Sequence, residues 1–457
     1  MTTKQDFKTL LVAGLALFAM FFGAGNLIFP TMIGVQAGSA LTPAITGFLC
    51  TGVVLPALAI VAAATSQTGV QGATERMGKY FGFTYTLIIF LSTGVLYAIP
   101  RVATVSFEMS TKPHFPRTEG LALGVYSVIF FVLVAAFSLN TGKILDRIGT
   151  WLTPALLILI AVLVVMALFT LSAKGGQPVA PYDKHPLPNG ILQGYFTMDA
   201  IASFVFGGIV IATLRNNGFT ERGRLFGGTV IVGVIAAALL AIVYLGLANV
   251  GARVGDPSFK NGAEALGAAA GQIFGGAGQT VFGLIVILAC LTTAVGLVGA
   301  SAHFFCSIFP KITRPTMVMI HIFIATAFAN LGLDAILAVV APLNVLIYPI
   351  TIMLTVVCLL DIAIPGHLHW AYRLGSWVAA LLAVGDSIRA IPGHEQFAQG
   401  IWEQLPLGLI GLGWMLPAFV AMAIGIGIDV TQGRTHMTPE AQKRIQPIEF
   451  SEVSLGE

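Results

Sequence analysis

The sequence predicts an all-α integral membrane protein of about twelve spans, and three features carry that prediction. Hydrophobic residues make up 56% of the 457 and charged residues only 9%, where an ordinary soluble domain has roughly 25% charged. The apolar residues fall in blocks of about 20 or more, separated by short polar stretches, which is the length an α-helix needs to cross a bilayer. Glycine-rich interruptions then recur in the middle of two blocks that lie five spans apart.

Taken in order, the spans are predicted at 8–35, 40–65, 82–109, 120–140, 147–172, 192–215, 225–250, 279–306, 316–332, 335–360, 374–391 and 405–429. The first run opens after Lys4 and Lys8 like a signal peptide. It continues as FFGAGNLIFP instead of ending at a small-residue cleavage site, so it reads as a span. Residues 256–275 are too polar to span and predict a short surface helix; residues 431–457 are polar, hold Pro439 and Pro447, and read as a mobile cytoplasmic tail. Residues 1–430 read as one transmembrane domain, with two candidate repeats at about 8–172 and 192–360 followed by helices at about 374–391 and 405–429.

An even number of spans puts both termini on one side. With that side cytoplasmic, 15 of the 23 Lys and Arg fall inside, among them Arg76, Lys79, Lys143, Arg147, Arg215, Arg222, Arg224, Lys311, Arg314 and Arg373. That is the bias expected of cytoplasmic loops. The net charge of +3 adds little. Cys50, Cys290, Cys306 and Cys358 all lie in apolar blocks without CxxC spacing, as small packing residues do. Nothing in the chain suggests a nucleic-acid partner, an obligate protein partner or an organic cofactor.

Span one carries Gly23-Ala24-Gly25-Asn26 followed by Pro30, and span six carries Ser203-Phe204-Val205-Phe206-Gly207-Gly208. Glycine costs about 1 kcal/mol in a helix interior, and unwound backbone at bilayer depth is tolerated only where it lines a cavity or is buried in protein. Interrupted helices at corresponding positions of two halves point to a transporter's substrate site. For span six, close helix packing explains the glycines equally well. In span one the half-helix starting near Asn26 offers free N–H groups and a positive dipole end to a carboxylate. In span six, carbonyls around Ser203, Phe204 and Phe206 would take an ammonium. No charged residue sits at either predicted break, so the cargo side chain is expected to be aliphatic.

Ala289, Thr292 and Thr293 in span eight lie at i, i+3 and i+4, on one helix face. Together with carbonyls near Ala19 and Phe22 they would give five oxygen ligands and no charge, which suits Na+. Back-bonding of both hydroxyls to the preceding turn is the alternative. Coupling to H+ would instead need a titrating group, for which Asp199, or Arg101 with Glu108, are the candidates. Their simplest role is structural, with Asp199 as a partner for Arg101. Tyr97 either presents its hydroxyl to substrate or packs; Pro100 should kink its helix, and Pro342, Asn344 and Pro349 mark an irregular span ten. Neither HExxH nor GxSxG is present, which leaves an intramembrane enzyme without its motifs, and no filter-like segment suggests a channel.

FFGAGNLIFP, YAIPRVATVSFE and TMDAIASFVFGG resemble the bacterial branched-chain amino acid:cation symporter family over about residues 8–430. The resemblance implies the leucine-transporter-like fold, a five-plus-five inverted repeat with broken first and sixth helices plus two extra helices. It implies uptake of Leu, Ile and Val across the bacterial inner membrane, with Na+ as the usual coupling ion. It also implies a Na+ site on Ala19, Phe22, Ala289, Thr292 and Thr293. A second Na+ site in some relatives uses the position of Asn26 with a Thr in span six and an Asn in span seven. Span six here reads SFVFGG and span seven has no Asn before Asn249, so one Na+ is expected. An H+-coupled symporter or an exporter on the same fold is the alternative.

Overall fold

Apolar blocks long enough to cross a bilayer become helices, and the interruptions decide where those helices break. The computed structural model describes residues 4–436 apart from 65–68, 113–118, 140–143, 173–175 and 257. Span one is two helices, α1 (Lys4–Phe21) and α2 (Ala24–Ala37). Span two is α3 (Leu41–Leu49) and α4 (Leu55–Ala63) joined by a π-type turn over Cys50–Val54, followed by α5 (Gly69–Glu75). Span three is α6 (Lys79–Leu91) and α7 (Ala98–Ser110). Spans four and five are α8 (Glu119–Leu139) and α9 (Ile144–Thr170).

Span six is also two helices, α10 (Pro186–Tyr195) and α11 (Asp199–Asn216), and span seven is α12 (Arg222–Val254). Span eight is the second part of α13 (Gly262–Ile308), which turns at Gly275 with φ +67°. Spans nine to twelve are α14 (Arg314–Ala329), α15 (Leu333–Ala363), α16 (Trp370–Arg389) and, after the short α17 (Gln399–Gln404), α18 (Met415–Thr431).

The two broken spans are held in related ways, each pressed backbone to backbone against a neighbour through a reciprocal glycine pair. A Cβ on Gly34 of α2 would overlap Ala248 O of α12, and one on Gly251 of α12 would overlap Thr31 O of α2. Likewise a Cβ on Gly190 of α10 would overlap Ala44 O of α3, and one on Gly47 of α3 would overlap Leu187 O of α10. Small residues let membrane helices approach this closely, where packing and not the hydrophobic effect holds them together. Span one thus grips span seven as span six grips span two, the relation expected when two five-helix units face opposite ways. Spans three and eight pack along each other between these pairs.

Several expectations need correction. Span six does not break at Ser203–Gly208, which lies in uninterrupted α11; it breaks at Phe196–Met198, with Met198 in the left-handed region at φ +64°. Gly207 follows the packing explanation instead, since a Cβ there would sit 2.5 Å from Ala63 Cβ. The helix of the 256–275 segment is not merely on the surface: Ala263, Leu266, Ala269 and Ala270 are buried and Gly262 abuts Ile28. The twelfth span begins at Met415, later than 405, and α15 runs unbroken through Pro342 and Pro349. The residues just past α18 are anchored, not loose: Arg434 and Thr435 carbonyls accept from the N–H groups of His367 and Gly366, at 2.8 and 3.1 Å. The predicted tail from 437 onward lies outside the described residues.

Candidate functional site

The break in span one falls at Phe22–Gly23, where Gly23 has extended backbone (φ −112°, ψ −166°). Asn26 then caps its own helix, its Oδ1 accepting the Gly23 N–H at 3.3 Å. The break in span six leaves Asp199 as the first residue of α11. Both half-helices therefore direct their N-terminal ends, with their partial positive charge, into the same region.

Side chains join the two breaks. Asn26 Nδ2 donates to Asp199 Oδ2 at 2.7 Å and also meets the Tyr244 hydroxyl, which itself donates to Asp199 Oδ2 at 2.9 Å. All three residues are buried, Asn26 and Tyr244 completely. The buried Asp199 side chain thus sits at the N-terminus of α11 with two hydrogen-bond donors on Oδ2, so that oxygen is not left without partners.

Span three brings a cation to the same place. A π-type turn over Ser92–Leu96, with Gly94 non-helical and Tyr97 at φ −140°, interrupts it before Pro100. Pro100 occupies the first turn of α7, where its missing N–H has no helical partner to lose. The predicted kink therefore falls just upstream of the proline. The next residue, Arg101, only 4% exposed, lays its guanidinium against the α2 backbone: a Cβ on Gly25 would sit 2.7–2.8 Å from Nη1, Cζ and Nη2. Arg101 Nη1 donates to the Tyr97 hydroxyl and to Phe196 O, each at 2.6 Å, and Cζ stands 4.4 Å from the Tyr97 ring centroid. The carbonyl freed by the span-six break is thus held by Arg101.

A cavity lies between these groups, lined by Gly23, Ala24, Asn26, Arg101, Asp199 and Thr293 and closed by the apolar Met20, Phe21, Val102, Phe206 and Leu297. Thr293 of span eight faces the span-one break, its Cγ2 3.4 Å from where a Gly23 Cβ would be. The hydroxyls of Thr292 and Thr293 both donate to Ala289 O, at 2.8 and 3.1 Å. This is the back-bonded arrangement, and it leaves the lone pairs of each hydroxyl oxygen free for a cation. Of the five residues expected to hold Na+, Thr293 lines the cavity, while Ala19, Phe22, Ala289 and Thr292 are not among its lining residues.

The structure places Gly23, Ala24 and Asn26 at the cavity and Gly25 against Arg101, whereas Phe206, expected to offer its carbonyl, lies in unbroken α11 and lines the cavity as an apolar wall. Ser203 and Phe204 are not positioned as expected: Ser203 Oγ donates to Asp199 O and Pro56 O, and the Phe204 ring is buried in the core. Their carbonyls belong to a continuous helix and are not free for an ammonium. Tyr97 supports Arg101 instead of lining the cavity. Arg101 and Asp199 are not an ion pair within 4.0 Å among the described residues, and Glu108 pairs with Lys112 at 2.9 Å, away from the site. Contrary to the expectation of an uncharged site, both charges stand at the breaks. The break in span six thus falls at Phe196–Met198 and not at SFVFGG, and Asn26 meets Tyr244 of span seven.

Reasoning from sequence also missed a pair beside the cavity. Ser301 of span eight meets His321 Nε2 of span nine at 2.9 Å, while His321 Nδ1 meets Met317 O at 2.8 Å. The histidine is buried and fixed between two partners, and it ties span nine to the span-three interruption next to Gly94.

Comparison with known proteins finds relatives across almost the whole chain. A family model described as "Branched-chain amino acid transport protein" matches residues 6–432. The chain is 40% identical over 422 residues to the branched-chain amino acid permease BrnQ of Corynebacterium glutamicum, covering 92% of this chain and 95% of that one. It is 35% identical over 428 residues to the branched-chain amino acid permease BraB of Bacillus subtilis, covering 92% and 95%. Among solved structures, Mhp1 in an inward-facing conformation superposes with a TM-score of 0.61 at 14% identity, covering 96% of this chain and 95% of that one. A closed form of Mhp1, titled a nucleobase-cation-symport-1 family transporter with bromovinylhydantoin bound, gives 0.57. At 14% identity that likeness is one of fold.

Proposed function

Because this chain belongs to the branched-chain amino acid transport protein family, a multi-pass membrane transporter and not an enzyme, we propose that it imports Leu, Ile and Val by Na+-coupled alternating access. The observation that carries the proposal is the cavity at which both helix breaks meet Thr293 of span eight. A free amino acid presents one carboxylate, one ammonium and a side chain. Beside its charged and polar groups the cavity is lined by Met20, Phe21, Val102, Phe206 and Leu297, so the side chain it suits is aliphatic.

Na+ bridges spans one and eight through the carbonyls of Ala19, Phe22 and Ala289 and the hydroxyls of Thr292 and Thr293. Cargo binds next to it, at the break that the ion steadies, so each raises the other's affinity by the same factor. One helix group then rocks against the other about this fixed site. Both termini are cytoplasmic, in the bacterial inner membrane.

Uptake of radiolabelled leucine into proteoliposomes tests this, with an imposed Na+ gradient compared against an imposed H+ gradient. Uptake driven by Na+ alone and competed by isoleucine and valine is the expected result. One observation favours H+ as a second reading: Asp199 is a buried carboxylate at the cavity itself. Uptake driven by the H+ gradient alone would move the coupling site from Thr292 and Thr293 to Asp199.

A further inference from the structure

Arg101 is the one feature of the site that fold-level transport logic does not require. It is a cation 4% exposed, in the middle of the membrane domain, with no carboxylate within 4.0 Å among the described residues. Both of its hydrogen bonds leave from Nη1. Nε is buried with no partner, so the Nε–Nη2 edge, the side by which a guanidinium forks a carboxylate with two parallel N–H donors, is uncommitted. The ring of Tyr97 beneath and the carbonyl of Phe196 fix the plane of the group.

Its position adds a second, independent argument. The guanidinium rests on Gly25, in the first turn of α2, so a positive side chain stands at the positive end of a helix. That juxtaposition is unfavourable by itself and becomes favourable once an anion lies between the two. Asp199 lines the same cavity, but its Oδ2 is engaged by Asn26 and Tyr244. Gly25 is the residue type that lets the guanidinium approach the backbone this closely, which makes the arrangement a built one.

We propose that Arg101 receives the α-carboxylate of the transported amino acid through its Nε–Nη2 edge, together with the free amides at the start of α2. Asp199, at the opposite break, supplies the complementary charge for the ammonium. Cargo selection then has two separable parts: the charge pair demands a zwitterion, and the apolar wall demands an aliphatic side chain. Decarboxylated or amidated leucine fits the wall and fails at Arg101.

The proposal rests on the transport reading, and one experiment separates the two. Binding of leucine, leucinamide and 3-methylbutylamine is measured on the full chain in nanodiscs, for the wild type, Arg101→Gln and Arg101→Lys. Wild-type protein is expected to prefer leucine over the amine strongly. Arg101→Gln should weaken leucine by on the order of 100-fold, the size expected for losing charge-assisted hydrogen bonds, while 3-methylbutylamine changes less than threefold. Arg101→Lys keeps the charge without the fork and should fall between, at roughly tenfold.

A merely structural arginine would weaken both ligands by the same factor, and that result overturns the proposal. So does Arg101→Gln with leucine affinity intact. If Arg101→Gln is not monodisperse, Arg101→Lys decides by the same ratio of leucine to amine. Wild-type protein that binds no leucine, or does not prefer it over the amine, overturns the proposal as well; only the former also removes the transport reading.

Discussion

Gly25→Ala is the perturbation that sets stability against substrate affinity most cleanly. A Cβ at this position sits 2.7 Å from Arg101 Nη1 and 2.8 Å from Cζ and Nη2, where ordinary contact begins at 3.4 Å. The guanidinium must therefore retreat by about 0.7 Å, since it is the end of a flexible side chain and the α2 backbone is fixed against α12. Its two bonds, to the Tyr97 hydroxyl and to Phe196 O, both stand at 2.6 Å. A retreat directed away from both acceptors stretches them to at most about 3.3 Å, the far edge of useful hydrogen-bond length. Weakening hydrogen bonds to a charged group costs roughly 1–2 kcal/mol, felt as a misplaced carboxylate receptor. Within the helix itself, Gly→Ala is favourable by about 0.5–1 kcal/mol. Thermal stability of the unliganded protein should thus change little, while leucine affinity falls by about 5- to 30-fold. The assay pairs a melting curve in detergent, with and without leucine, against leucine uptake kinetics. Unchanged affinity with unchanged stability would show that the seat of Arg101 does not matter for cargo, and the reasoning from Gly25 would fail.

Removing both hydroxyls of span eight (Thr292→Ala with Thr293→Ala) is expected to abolish Na+ stimulation of leucine uptake while the protein stays folded; full Na+ dependence in that double variant sinks the ion site. Asp199→Asn is nearly isosteric, keeps an acceptor for Tyr244 and Asn26, and removes the charge. It should reduce leucine affinity by at least about tenfold through the ammonium without shifting the Na+ dependence, and uptake that instead loses its response to an imposed H+ gradient would make Asp199 the coupling group. Gly190→Ala and Gly34→Ala each force a backbone contact between helices apart, at Ala44 O and Ala248 O respectively. Each should lower stability by about 3 kcal/mol or more, read as loss of monodisperse protein on size exclusion, and a normal melting curve would contradict the close packing of the broken spans. Asp429 accepts three backbone N–H groups at the start of α16, from His369, Trp370 and Ala371. Asp429→Ala should cost about 1–3 kcal/mol of stability with leucine KM unchanged, and a shifted KM would contradict a purely structural role.

The membrane class, the order of the helices and the break in span one are legible in the amino-acid sequence. These follow from local facts: blocks of apolar residues of bilayer length, and Gly23, Gly25, Asn26 and Pro30 packed into one turn or two, where backbone preference alone disfavours a continuous helix. The break in span six was not legible in the same way. Phe196-Thr197-Met198 contains neither glycine nor proline, and the visible glycines at 207 and 208 lie in an unbroken helix. Met198 is held in the left-handed region by its tertiary setting, a strained state that local propensity never suggests.

The charged heart of the site was likewise decided only by the tertiary structure. Arg101 was visible as a charge in a membrane span, and so was Asp199, but hydropathy says nothing about which faces meet. Asn26 reaches Asp199 across 173 residues and Tyr244 across 218, and Arg101 reaches Phe196 across 95. Such contacts depend on how two broken helices and span three are pressed together, and helical periodicity carries only the neighbours within one or two turns. A chain-local code therefore specifies where each helix runs, while the packing of helices against one another specifies which side chains share a cavity.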